Sequence, residues 1–172
     1  MERRNAFKVA LLSATALTLI ACSEATDEVL VYDSVGACVA AGQQDEAVCE
    51  SEFEKAQSIH EGVAPRYAES NQCYSDFGHN RCYRSGSIWL PLMVGYMLAP
   101  RGGPAYISSQ PLYRPSSDPN RFYTAADHRV GAASASGRAQ AATSKVSQPA
   151  ARTRTVARGG FGARAAGRGA GS

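Results

Sequence analysis

The chain has 172 residues, 44% of them hydrophobic, with 18 basic against 15 acidic side chains for a net charge of +3; that is room for one modest domain. No run reaches the roughly 18 consecutive apolar residues of a spanning helix, which excludes an integral transporter. The total conceals an asymmetry of +2 over residues 1–21, −8 over 22–100 and +9 over 101–172, the pattern of an acidic folded part followed by a basic interaction tail.

In chain order, Arg3, Arg4 and Lys8 precede an uncharged, mostly apolar run from Val9 to Ile20, which reads as a signal peptide over residues 1–21 and is too short to span. Leu19-Ile20-Ala21-Cys22 resembles the bacterial lipobox, in which a small residue precedes a cysteine that is acylated through its thiol. Cys22 is therefore the expected lipidation site and first mature residue, and several acyl chains at about 0.8 kcal/mol per buried CH₂ make such an anchor effectively permanent. Ser23 in the next position resembles the outer-membrane class of lipoproteins, so the expected location is the periplasmic face of the outer membrane.

Beyond an acylated leader, residues 22–27, the remaining cysteines are Cys38, Cys49, Cys73 and Cys82. An even number in an exported chain predicts two disulfides. Three connectivities exist. Gly42 between the first pair and Gly78 between the second allow chain reversals, which favours Cys38 with Cys49 and Cys73 with Cys82; the nested pairing of Cys38 with Cys82 and Cys49 with Cys73 is the next alternative. Spacings of eleven and nine residues do not match zinc knuckles.

Val29-Leu30-Val31-Tyr32 reads as a short extended piece or a hydrophobic staple. Asp33 and Ser34 offer an N-cap to a helix through Val35, Cys38 and Val39 that Gly42 ends. Asp45 and Glu46 open a second helix, whose positions Cys49, Phe53, Ala56, Ile59 and Val63 recur at spacings of three and four and which Gly62 and Pro65 close. A third short helix starts at Ser70, with Cys73 and Phe77 inward and Gly78 as its cap. Residues 28–85 are thus expected to form an acidic, disulfide-stapled helical domain.

From Ile88 to Pro100 the chain carries no charge. Two readings stand: the segment folds back to complete the core, or it is an exposed docking element with Trp89, Leu92, Met93, Tyr96 and Met97 as contact residues. Residues 101–130, rich in proline and aromatics, read as extended structure with packed rings or as disorder, and 86–130 is taken as one region. Residues 131–172 hold 13 Ala, 8 Gly, 6 Arg and no acid, a composition expected to stay disordered. Its charges have three candidate uses: none, contact with anionic lipid or lipopolysaccharide phosphates, or folding against the chain's own acidic part.

Several marks then coincide in order: the lipobox; Ala64-Pro65-Arg66-Tyr67 before Cys73; Phe77-Gly78 before Cys82; Trp89-Leu90-Pro91-Leu92-Met93-Val94-Gly95-Tyr96-Met97; Gln110-Pro111-Leu112-Tyr113; and Arg158-Gly159-Gly160-Phe161-Gly162. Together they resemble the YgiB family of uncharacterised bacterial envelope proteins. No activity, substrate or cofactor travels with that resemblance; it implies that the Trp89 segment and the element holding Arg158 and Phe161 are working parts.

His60, His79 and His128 show no ligand spacing, and no nucleophile, dinucleotide or phosphate-loop motif occurs. Glu50 and Glu54 on an acidic helix read as solvated charges, and a redox role would want a Cys-x-x-Cys motif. The expectation is a mainly α, non-enzymatic envelope lipoprotein without catalytic residue, cofactor or metal, held at the membrane, meeting an envelope protein partner and not nucleic acid. The alternative is an accessory or regulatory subunit that docks through the Trp89 segment onto a membrane enzyme or export machine.

Overall fold

The computed structural model describes residues 24–155 and 161–162. The signal segment, Cys22 and Arg158 lie outside the described residues.

The first element is a strand, β1 (Thr26–Tyr32), and its last four residues are buried on both faces. Alternation explains how. Side chains along a strand point to opposite sides, so Val29 and Val31 enter one core with Met97, Ile107, Leu112, Val130 and Val146, while Leu30 and Tyr32 enter another with Cys38, Cys49, Ala56, Tyr96 and Leu98.

Three helices follow. Helix α1 (Val35–Ala41) starts where Ser34 Oγ accepts the Ala37 N–H at 3.1 Å and ends at Gly42, whose φ of 65° is left-handed; such a cap contributes about 1 kcal/mol. Helix α2 (Glu46–Val63) buries Cys49, Ala56, His60 and Val63, and helix α3 (Ser70–Phe77) stops at Gly78. The expected helices are all present with nearly the expected ends. Cys38 of α1 joins Cys49 of α2, and Cys73 of α3 joins Cys82, with Cα atoms 5.9 and 6.3 Å apart.

The fold is nevertheless not mainly α. After α3 come a hairpin of β2 (Cys82–Ser85) and β3 (Ile88–Pro91), then β4 (Gly95–Leu98), β5 (Gln110–Tyr113), β6 (Tyr123–Thr124) and β7 (Arg138–Ala142). The last four of these join β1 in one antiparallel five-stranded sheet of order β6-β5-β4-β1-β7. Helices α1 and α2 lie on one of its faces. The other face is covered by the connections carrying Ile107, Phe122, Val130 and Val146.

The proline- and aromatic-rich region takes its extended reading and not disorder: short strands β3 to β6 are joined by loops, and their buried backbone finds hydrogen-bonding partners in neighbouring strands. The tail is not wholly disordered, since β7 pairs with β1 over five positions from Thr26↔Ala142 to Leu30↔Arg138. Its Ala139 and Ala141 are buried; small side chains suffice where the ladder itself satisfies the backbone. The sheet therefore draws strands from the parts of the chain before residue 85, between 86 and 130, and after 131.

Charge follows the same crossing. Arg138 reaches Glu28 at 3.1 Å and Arg101 reaches Asp45 at 3.0 Å, each joining the basic half to the acidic one. Both pairs are solvent-exposed and worth at most about 1 kcal/mol each.

Candidate functional site

A cleft of about 350 Å³ opens where α1 begins, beside the middle of α2, Tyr83 of β2 and the link between β3 and β4. Helical periodicity sets Phe53, Gln57 and His60 along one side of it, since positions three and four apart share a helix face. The link supplies Leu92 and Met93. Leu92 is 44% exposed and is fixed through its N–H, which donates to the Arg81 carbonyl at 2.8 Å.

His60 sits at the inner end, only 7% exposed. Its ring stacks between Tyr83 and Tyr113, with centroids 6.1 and 5.7 Å away, and Nδ1 lies 2.9 Å from Tyr113 Oη. Burial lowers the His60 pKa, opposed in part by Glu61, while burial raises that of Tyr113. At neutral pH the pair is thus an uncharged imidazole on an uncharged phenol. The partner on Nδ1 is a phenol hydroxyl in place of a carboxylate. The cleft offers apolar contact from Val35, Phe53, Leu92 and Met93 beside polar groups of Asp33, Ser34, Gln57, His60 and Tyr83, a combination found in ligand sites.

The other expected contact residues are distributed differently. Trp89 is half-buried, its backbone bonded in both directions to Tyr67 at 2.8 and 2.9 Å and its ring edge-on to Tyr74. Tyr96 and Met97 are fully buried in β4; Tyr96 Oη donates to the Cys49 carbonyl at 3.3 Å, and burial pushes its pKa up to about 12. Phe161 is also buried, in a separate aromatic cluster. Of the expected contact residues, Leu92 and Met93 line the cleft, with Gly95 of the same segment.

Sequence reasoning passed over His60, Tyr83 and Tyr113 as members of one site. A signal existed for His60. It continues the 49, 53, 56 spacing of α2 and is buried beside Ile59, which is itself half-buried against the aromatic core. Nothing local marks Tyr113, whose distance to His60 is set by the sheet.

Among the described residues no group of three or more His, Cys, Asp or Glu could hold a metal ion, and no helix is long and apolar enough to cross a membrane. Fold and cleft together define a small disulfide-stapled α+β protein with an open cleft of mixed lining. The chain belongs to the family described as "Protein of unknown function (DUF1190)", whose model matches residues 26–171. It is 32% identical to a UPF0441 protein of Erwinia tasmaniensis and 31% identical to one of Klebsiella pneumoniae strain 342, each match covering 92% of this chain and 81% of the relative. No solved structure matches.

Proposed function

We propose that this protein is a lipid-anchored envelope lipoprotein, acylated at Cys22 and facing the periplasm from the outer membrane, with a non-enzymatic interaction or envelope-maintenance role. The observation that carries the reading is the pairing of Cys38 with Cys49 and Cys73 with Cys82. Disulfides that close short loops inside a core belong to an oxidising compartment, the one to which the Arg3-to-Cys22 segment would send the chain. Metabolic labelling with a palmitate analogue should tag the protein and fail on Cys22→Ala. Equal labelling of both would overturn the anchor.

The cleft is the docking element of this reading, and exposed Leu92 at its wall favours a protein partner that inserts an apolar side chain. This also covers the role of an accessory subunit. A photoreactive residue at Leu92 should yield one discrete protein adduct in intact cells, whereas the same probe at buried Met97 should yield none. Adducts equally diffuse at both sites would remove the docking role.

The basic tail adds an electrostatic contact with anionic lipid or lipopolysaccharide, at up to about 1 kcal/mol per basic residue near the surface. Deleting residues 131–172 would remove β7 with the charges. Replacing Arg154, Arg158, Arg164 and Arg168 by glutamine is the cleaner test, and vesicle binding that keeps its salt dependence in that variant would exclude the tail.

A further inference from the structure

Phe161 and Gly162 lie beyond the described chain that ends at Thr155, and both are held by the fold. The Phe161 ring is 4% exposed, with its centroid 4.9 Å from Phe77 and 6.2 Å from both Tyr113 and Tyr123. Its N–H donates to Asp76 Oδ2 at 3.2 Å, and the Gly162 N–H donates to Asp127 Oδ1 at 2.7 Å. Gly162 has a φ of 79°, and a Cβ there would come within 2.5 Å of Ser117 Oγ and 2.9 Å of Pro115 Cβ. Three features of the segment are therefore read at once: an aromatic ring, two successive amide donors, and the lack of a side chain on the second residue.

The walls of this pocket have anchors of their own. Asp76 is 6% exposed, its Oδ2 also accepts the Tyr67 hydroxyl at 2.8 Å, and its backbone carbonyl accepts the Ser116 N–H at 2.7 Å. Tyr123 Oη donates to Asp118 Oδ2 at 2.9 Å, and Tyr113 Oη pairs with His60. None of these bonds needs Phe161. These walls therefore keep bonds of their own when the segment leaves, which lowers the cost of ordering them for a ligand. The segment in turn is lean: between Arg158 and Arg164 the sequence is Gly-Gly-Phe-Gly-Ala, in which only the ring exceeds a methyl group.

We propose that this pocket is a peptide-binding site for an aromatic residue followed by glycine, that the chain fills it in cis with Phe161 and Gly162, and that the same segment of a second copy fills it in trans. The contacts are identical in the two cases, so the choice between them is set by effective concentration, which favours the closed monomer when dilute and the exchanged dimer when concentrated.

The test uses full-length wild type, full-length Phe161→Ala and a fluorescent peptide spanning residues 156–166. The variant, with both disulfides formed and a native near-ultraviolet circular dichroism spectrum, should bind the peptide at least about tenfold more tightly than wild type, whose own segment competes. Peptides carrying Phe161→Ala or Gly162→Val should not bind. In sedimentation at roughly 0.1–1 mM, the millimolar range typical of tethered effective concentrations, wild type should dimerise and the variant should not. A folded variant that ignores the peptide overturns the site. Selective peptide binding with a wild type that stays monomeric, or with a variant that dimerises equally, overturns the second copy as occupant. Should Phe161→Ala fail to fold, a protease site inserted between Thr155 and Val156 of the full chain replaces it. The cleaved segment should then be displaced by labelled peptide, and failure to exchange overturns the site in the same way.

Discussion

The two faces of the sheet are closed by different means. On one, α1 is capped by Ser34 and Gly42, α2 follows with a periodic inward side, and Cys38–Cys49 ties the two helices to each other within about thirty residues of chain. On the other, connecting loops cover the sheet, and its edge strand β7 reaches β1 from more than a hundred residues away. The first face is held by local chemistry, including a covalent bond. The second depends on backbone pairing and close steric fit, which have no local substitute. Long-range pairing must meet loop-closure entropy before its contacts form, so damage on the second face should disrupt more of the molecule than equivalent damage on the first.

The sharpest way to break that contrast is a matched pair of glycine substitutions. Gly137, just before β7, has a φ of 82°, and a Cβ there would lie 2.2 Å from the Tyr32 ring; Gly42, at the end of α1, has a φ of 65° and open space around it. Overpacking and backbone strain together should make Gly137→Val cost about 4 kcal/mol, against about 1 kcal/mol for Gly42→Ala. Urea unfolding measures both, and equal losses would erase the distinction between the long-range attachment of β7, whose turn packs on Tyr32, and the locally closed end of α1. Next, replacing Cys38 and Cys49 together by alanine should cost about 3 kcal/mol in the loop-entropy account. The helical face should then unfold before the β7 side in hydrogen exchange, reversing the order expected of the wild type.

Titration separates the faces more gently. Burial raises the pKa of Tyr67 and Tyr113 and lifts those of Tyr96 and Tyr123 to about 12. Raised values mean that the folded state holds its protons longer than the unfolded chain. Their contribution is complete below about pH 10, the usual tyrosine value, and is lost as pH rises toward the folded values. Part of the tyrosine absorbance change should therefore coincide with unfolding. His60 runs the other way: its folded pKa is lowered, so its contribution is complete above about 6.5 and falls away as pH drops below that. His60→Gln should flatten this acid limb, and an unchanged limb would place its origin elsewhere.

The smallest effect belongs to charge. Arg138→Gln removes the pairing with Glu28 and the bonds to Gln43, all on the surface. It should cost no more than about 1 kcal/mol, and less in high salt. A larger loss would mean that charge, not the backbone ladder, holds β7 in register.

The helical face was legible because its signals are local. Ser34 and Gly42 mark the ends of α1, the spacing of Cys49, Phe53 and Ala56 marks the inward side of α2, and Gly78 ends α3. The cleft was legible only in part. Leu92 and Met93 stood out as apolar residues in an uncharged run, but Tyr96 and Met97 in that run are core, since β4 alternates its residues between the two faces of a sheet that could not be seen. A strand of four residues has too few positions to display a period. Arg138–Ala142 carries almost no hydrophobic signal at all, because alanine on a paired edge needs only a partner strand.

By itself, then, the sequence determined the helices, their caps, the number of paired cysteines and the separation of charge, all properties of residues within a few turns of one another. The tertiary structure alone decided that the fold is α+β, that β7 completes the sheet, that His60 meets Tyr113, and that Phe161 has a receptor in its own chain. Those facts rest on which distant segments pair, and pairing is chosen by the combined backbone bonds and burial of the whole molecule.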